Sequence, residues 1–138
     1  MSKQPDYIFF TDRNLGKQFP NTLIKAGIKV EKHGDHFKDN AKDEEWLAEI
    51  GKRGWYIITH DRRIRYKPNE KNAVKKFQVG LFVLVGKLPF SKLSENFILT
   101  LPKIQKFIDK NSRPFIAKIY HSHKENKPGS VEMWESFH

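Results

Sequence analysis

The sequence predicts an α/β sandwich around a mostly parallel sheet, and three observations carry that expectation. Short runs rich in strand formers alternate with stretches of helical apolar spacing through at least four cycles. Two of the early apolar runs end in polar, acid-bearing turns, as strands do at the working edge of such sheets. The 138 residues show no internal repeat, low-complexity tract or linker-like stretch, so residues 1–138 are read as a single domain.

Taken in order, residues 7–11 (YIFFT) form a first strand that ends at the polar turn Asp12-Arg13-Asn14. Residues 15–26 carry apolar side chains at 15, 19, 23 and 26, a helical spacing closed by Gly27, with Pro20 bending the helix or delaying its start. Residues 28–31 read as a second strand, and the polar, aperiodic residues 32–42 as a loop. Asp43-Glu44-Glu45 opens a helix with Trp46, Leu47 and Ile50 on its apolar face and Gly51 and Gly54 marking its end. A third strand, 56–59 (YIIT), runs into the turn His60-Asp61-Arg62-Arg63. Asn69 is placed to cap a helix over 70–78, and 80–85 (GLFVLV) is the most apolar strand and the natural centre of the sheet. Residues 91–110 follow an amphipathic pattern in which Pro102 implies a kink. Residues 115–120 form a fifth strand, 127–130 a turn, and 131–137 a possible antiparallel edge strand.

Composition narrows the function classes. Hydrophobic residues make up 38% and eleven are Phe, enough for a packed core. No cysteine is present, which excludes disulfides, thiolate zinc sites and Cys nucleophiles. No apolar run reaches membrane-spanning length and the N-terminus carries no secretory pattern, so the expectation is a cytoplasmic protein without a membrane partner. Lys and Arg number 26 against 16 Asp and Glu, a net charge of +10 that favours polyanionic partners such as RNA. The acids gather in the first half, ten in residues 1–68 against six in 69–138.

Three of those acids stand where chemistry would use them. Asp12 follows the first strand directly, and Asp61 follows the third with only His60 between. If these strands run parallel and flank a shared central strand, both carboxylates emerge on one edge of the sheet. Asp43 reaches that edge if the 32–42 loop swings its helix over it. Three converging carboxylates suit Mg²⁺ or Mn²⁺, which take oxygen ligands and support phosphodiester hydrolysis. The plainer reading makes Asp12 and Asp61 turn formers and Asp43 a capping acid, and spacing alone leaves both open.

The run strand–Asp12-x-Asn14-Leu15–helix, strand, loop, Asp43-Glu44-x-x-Leu47–helix, strand–Thr59-His60-Asp61-Arg62 resembles the PIN-like domains related to VapC-type toxins and to the Mut7-C group. More narrowly, it is similar to the small PIN-like group named after the VapC45 toxin, over residues 7–65. The resemblance implies a three-layer α/β/α fold and a Mg²⁺- or Mn²⁺-dependent ribonuclease, often the toxin of a toxin–antitoxin pair and often a homodimer. It carries the metal ligand roles onto Asp12, Asp43 and Asp61, with Glu44 as a fourth ligand or a neighbour that supports them. Two positions depart from the pattern: Arg13 and Arg63 stand where relatives commonly carry acids. These arginines lower the negative charge of the site and supply forks that fit phosphate. The rival expectation is therefore an RNA- or protein-binding domain that keeps the scaffold without cutting. A phospho-accepting receiver domain fits poorly, because it wants paired acids after the first strand and a Lys after the last.

Around this set, Arg62, Arg63, Arg65 and Lys67, with Tyr66 among them, form either a phosphate clamp or a solvated loop. Thr59 and Asn14 either position water or substrate or satisfy their own turns. His60 reads as structural, and His121-Ser122-His123 lacks a nearby third partner for a metal. Trp46 and Trp55 read as core, while Trp134 either covers the sheet edge or meets a partner. The Lys-rich face of 91–110 is a solvated face that is also suited to an acidic antitoxin segment.

Overall fold

Successive side chains of a strand point to opposite faces, and here both faces are apolar, so the sheet must be covered on both sides. The computed structural model describes residues 7–61, 63 and 66–137 and shows that arrangement. The chain runs β1 (Phe9–Thr11), α1 (Gln18–Lys25), β2 (Val30–Lys32), α2 (Asp43–Arg53) and β3 (Tyr56–Thr59). It continues through α3 (Pro68–Lys76), β4 (Gly80–Val85), α4 (Phe90–Lys110), β5 (Phe115–Tyr120) and β6 (Ser130–Ser136). Among the described residues the strands form one sheet in the order β2-β1-β3-β4-β5-β6, parallel throughout except for β6, which is antiparallel to β5.

The alternation divides the core in two. Phe9, Ile58, Phe82, Ala117 and Ile119 face α1 and α4, meeting Phe19, Leu23, Phe97 and Ile104. Phe10, Ile57, Leu81, Val83 and Ile116 face α2 and α3, meeting Trp46, Leu47, Ile50 and Val74. This is the three-layer α/β/α sandwich, with β4 lying inside the sheet as its unbroken apolar run requires. Gly51 lets α2 approach the segment before β4, since a Cβ there would meet the Phe77 carbonyl oxygen at 2.5 Å. No helix among the described residues is long and apolar enough to cross a membrane.

Several local expectations are corrected. The first helix begins at Gln18 rather than at residue 15, because Arg13–Leu15 form a separate 3-10 turn and Gly16 breaks it with φ 67°. Pro20 then lies in the first turn of α1, where its missing N–H costs little. β2 starts two residues later than expected and ends one later. The polar 32–42 segment opens with a 3-10 turn, His33–Asp35, pinned by a buried His33 against Phe10, Phe37 and Trp46. α3 begins at Pro68, preformed for a first helical position, so Lys67 and not Asn69 occupies the cap. α4 begins one residue earlier than predicted and runs through Pro102 as a single helix of 21 residues. β1 and β3 do not flank a shared strand: they pair directly, with Thr11 opposite Ile58.

Candidate active site

That pairing places the first two acids. Asp12 continues the ladder by donating its backbone N–H to Ile58 O at 3.0 Å, which sets its side chain beside Thr59. Alternation along β1 turns Asp12 to the same face as Phe10, and along β3 turns Thr59 to the same face as Ile57. This is the face covered by α2 and α3. A helix that leads back into the start of β3 has its own start over the carboxyl edge, so Asp43 at the head of α2 arrives at the same place.

The hydrogen bonds join these residues into one network. Thr59, fully buried, donates its hydroxyl to Asp12 Oδ2 at 2.8 Å and accepts the Asp61 backbone N–H at 3.1 Å. Asn14 spans the same junction, its Nδ2 toward Thr59 Oγ1 at 3.4 Å and its Oδ1 accepting the His60 N–H at 3.4 Å. Asp43 Oδ1 accepts from the Trp46 indole N–H at 3.1 Å, and Lys42 rather than Asp43 occupies the cap of α2. Asp43 is thus not a capping acid. Asp61 Oδ1 accepts from the Arg63 backbone N–H at 3.0 Å and lies 3.2 Å from Arg63 Nε, a turn-forming bond of the kind Asp side chains make. Its other oxygen, Oδ2, is 3.4 Å from Lys67 Nζ, and the same ammonium is 3.9 Å from Asp43 Oδ2.

The acids differ electrostatically. Burial pushes the Asp12 carboxyl above the usual carboxylate range, and the charge of Asp43 pushes the same way against the hydrogen bond from Thr59. Partial burial also acts upward on Asp61, but the Arg63 backbone and side chain and the Lys67 charge outweigh it and hold Asp61 below its ordinary value. Burial lowers His33, whose imidazole feels Asp12 and Asp43 and whose Nδ1 is buried without a hydrogen-bond partner.

Asp12, Asn14, Asp43, Thr59 and Asp61 are therefore gathered at one edge. Glu44, half-buried in the same turn as Asp43, takes no part in the network just described. Arg13 is exposed beside it, and Arg62 and Arg65 lie outside the described residues. Arg63 and Lys67, for which a phosphate clamp and a solvated loop were both open, each lie against Asp61. A basic side chain next to a carboxylate in a loop finds the nearer charge first. Tyr66 packs edge-on against Trp134, itself under the Lys118 ammonium at 4.2 Å. His60 bonds Gly86 O at 2.8 Å and packs on Phe90, which fits its structural reading.

Trp46 and His33 were not expected at this site, and Lys67 was expected there as part of a phosphate clamp or a solvated loop, not as a partner of the acids. Trp46 was taken as core only, although Asp43-x-x-Trp46 puts both on one side of a helix. Pro68 was the signal for Lys67, because it fixes the backbone from which the lysine reaches back.

As donors for a cation, the acids fit in kind: all are carboxylate oxygens, the ligands of Mg²⁺ and Mn²⁺. As they stand, no three His, Asp or Glu side chains among the described residues lie close enough to hold an ion. A cavity of about 660 Å³ lies apart, between α4 and residues 121–126. It contains none of the acids, and two of the charges lining it, Lys92 and Glu95, pair with each other at 3.7 Å. His121 and His123 reach it with their rings edge to face, 5.8 Å apart. The acid edge, not this hollow, gathers the carboxylates.

A family model described as a PIN like domain matches residues 8–86, more than half of the chain. The match spans β1 through β4 and so includes every residue of the network above. No curated protein and no solved structure matches the chain.

Proposed function

Because the chain belongs to the PIN-like domain family, we propose that it is a Mg²⁺- or Mn²⁺-dependent endoribonuclease. The observation that carries this reading is the convergence of Asp12, Asp43 and Asp61, from three separate elements, on one edge of the sheet. Asp12, Asp43 and Asp61 would hold the ion, which when bound activates water and offsets charge on a phosphodiester. The chain's own residues do the rest. Thr59 and Asn14 fix the spacing between the ends of β1 and β3, and Trp46 fixes the rotamer of Asp43. Arg13 and Arg62 offer guanidinium groups to phosphate, Arg63 adds what its bond to Asp61 leaves free, and the net charge of +10 draws RNA to the surface.

The resemblance of the first half to the VapC45 group extends the reading to a cytoplasmic toxin held in check by an antitoxin protein, with dimerisation as in related domains. The second reading is an RNA- or protein-binding domain without cleavage, favoured by the two cations, Arg63 and Lys67, already set against Asp61. Incubating a mixed RNA pool with Mn²⁺ and the wild-type, Asp12→Asn and Asp61→Asn proteins separates the two. We expect cleavage by the wild type and a loss of at least about 100-fold in each variant. Cleavage retained in both variants would sink the site assignment. RNA binding without cleavage by the wild type would establish the second reading.

A further inference from the structure

Asp43 and Asp61 each commit one carboxylate oxygen to a neighbour and turn the other toward the same ammonium. Oδ1 of Asp43 is held by the Trp46 indole, and Oδ1 of Asp61 by the Arg63 backbone. The two remaining oxygens both face Lys67 Nζ, at 3.9 and 3.4 Å. Neither distance is that of a tight charge-assisted hydrogen bond, so the ammonium is shared between the acids and docked on neither. Its root is fixed: Lys67 precedes Pro68, which favours the extended backbone seen there, φ −87° and ψ 116°. The side chain is 35% exposed, so the ammonium has a way out to solvent.

We propose that Lys67 is the resident counter-cation of the Asp43–Asp61 pair, and that a divalent ion enters between these carboxylates by displacing it. The inference rests on the metal-dependent reading above and adds to it a competitor built into the chain. Two carboxylates facing one space repel, and the lysine offsets that repulsion while the ion is absent. Mg²⁺ needs oxygen ligands at roughly 2.0–2.1 Å, much closer than either acid approaches the ammonium, so the two cations cannot share the space. The displaced ammonium stays tethered at the rim through Pro68 and α3.

The test uses Mn²⁺ alone, without RNA, and reads free Mn²⁺ by electron paramagnetic resonance against the full-length wild-type, Lys67→Met and Lys67→Arg proteins. Lys67→Met is expected to bind Mn²⁺ about fivefold more tightly, the effect of removing one half-exposed ion pair. Lys67→Arg keeps the charge and is expected to stay near the wild type. In the wild-type protein itself, the ¹³C-labelled Lys67 side-chain resonance is expected to shift when Mg²⁺ is added. Equal or weaker Mn²⁺ binding by Lys67→Met, or an unmoved Lys67 resonance while the ion binds, overturns displacement and leaves the nuclease reading intact. Absence of Mn²⁺ binding in all three proteins overturns both.

Discussion

Asp12 and Asp61 lie one strand apart, joined through a single hydroxyl, and yet respond to pH with opposite sign. The folded-state value of Asp12 is raised by burial, so its contribution to stability is present in full below the unfolded value, near 3.9, and is lost as pH rises through the folded value. At pH 7 an ionised Asp12 therefore weakens the fold. Asp12→Asn should raise the stability of the metal-free protein by about 1 kcal/mol at pH 7. The gain should shrink as pH falls through the carboxylate range, as urea denaturation at pH 7 and pH 4 would record. Equal stability of the two proteins at pH 7 would contradict a carboxylate ionised at a cost in burial. Asp61 runs the other way: its depressed value gives stability that is present above the unfolded value and lost as pH falls through the folded one. The two acids therefore pull the stability of this edge in opposite directions as pH changes.

At the scale of elements, the strand-end acids could be read from the sequence because position after an apolar run is a local property. The placement of Asp43 needed the fold: α2 reaches the edge only because it packs on the Phe10 and Ile57 face and returns to β3. Helix starts at 18 and 68 escaped the spacing argument because Gly16 and Pro68 act through backbone angles, which periodicity does not register. Adjacency of β1 and β3 escaped it too, since the sequence orders strands along the chain and not across the sheet. The seating of α2 yields its own expectation. Gly51→Ala would drive a Cβ onto the Phe77 carbonyl oxygen at 2.5 Å and onto Val79 Cγ2 at 2.9 Å. Backbone cannot move aside as a side-chain tip can, so the variant should lose about 2 kcal/mol, read as a lower urea midpoint with unchanged slope. Wild-type stability in Gly51→Ala would mean that α2 does not press on this segment.

Across the whole molecule, charge and chemistry are distributed unequally. The acid edge draws its members from the first half of the chain, where the acids concentrate, while the chain as a whole carries +10. The sequence conveyed that balance directly, but not that Lys67 and Arg63 would be engaged by Asp61. Charge counts say how many cations exist, and only packing says which are already engaged. RNA binding through the remaining cations should depend strongly on salt. Affinity for a mixed RNA pool is expected to fall at least roughly tenfold between 50 and 200 mM salt, measured by filter binding. A flat response would remove the phosphate backbone as the main contact.

The indole of Trp46 belongs to both the core and the acid edge, tilted against Phe10 in the buried layer and bonded through Nε1 to Asp43 at the edge. Its near-ultraviolet absorption and emission depend on what that N–H meets. The bond to Asp43 therefore makes Trp46 an optical gauge of the acid edge: a change in what Asp43 meets is expected to alter the light that Trp46 emits.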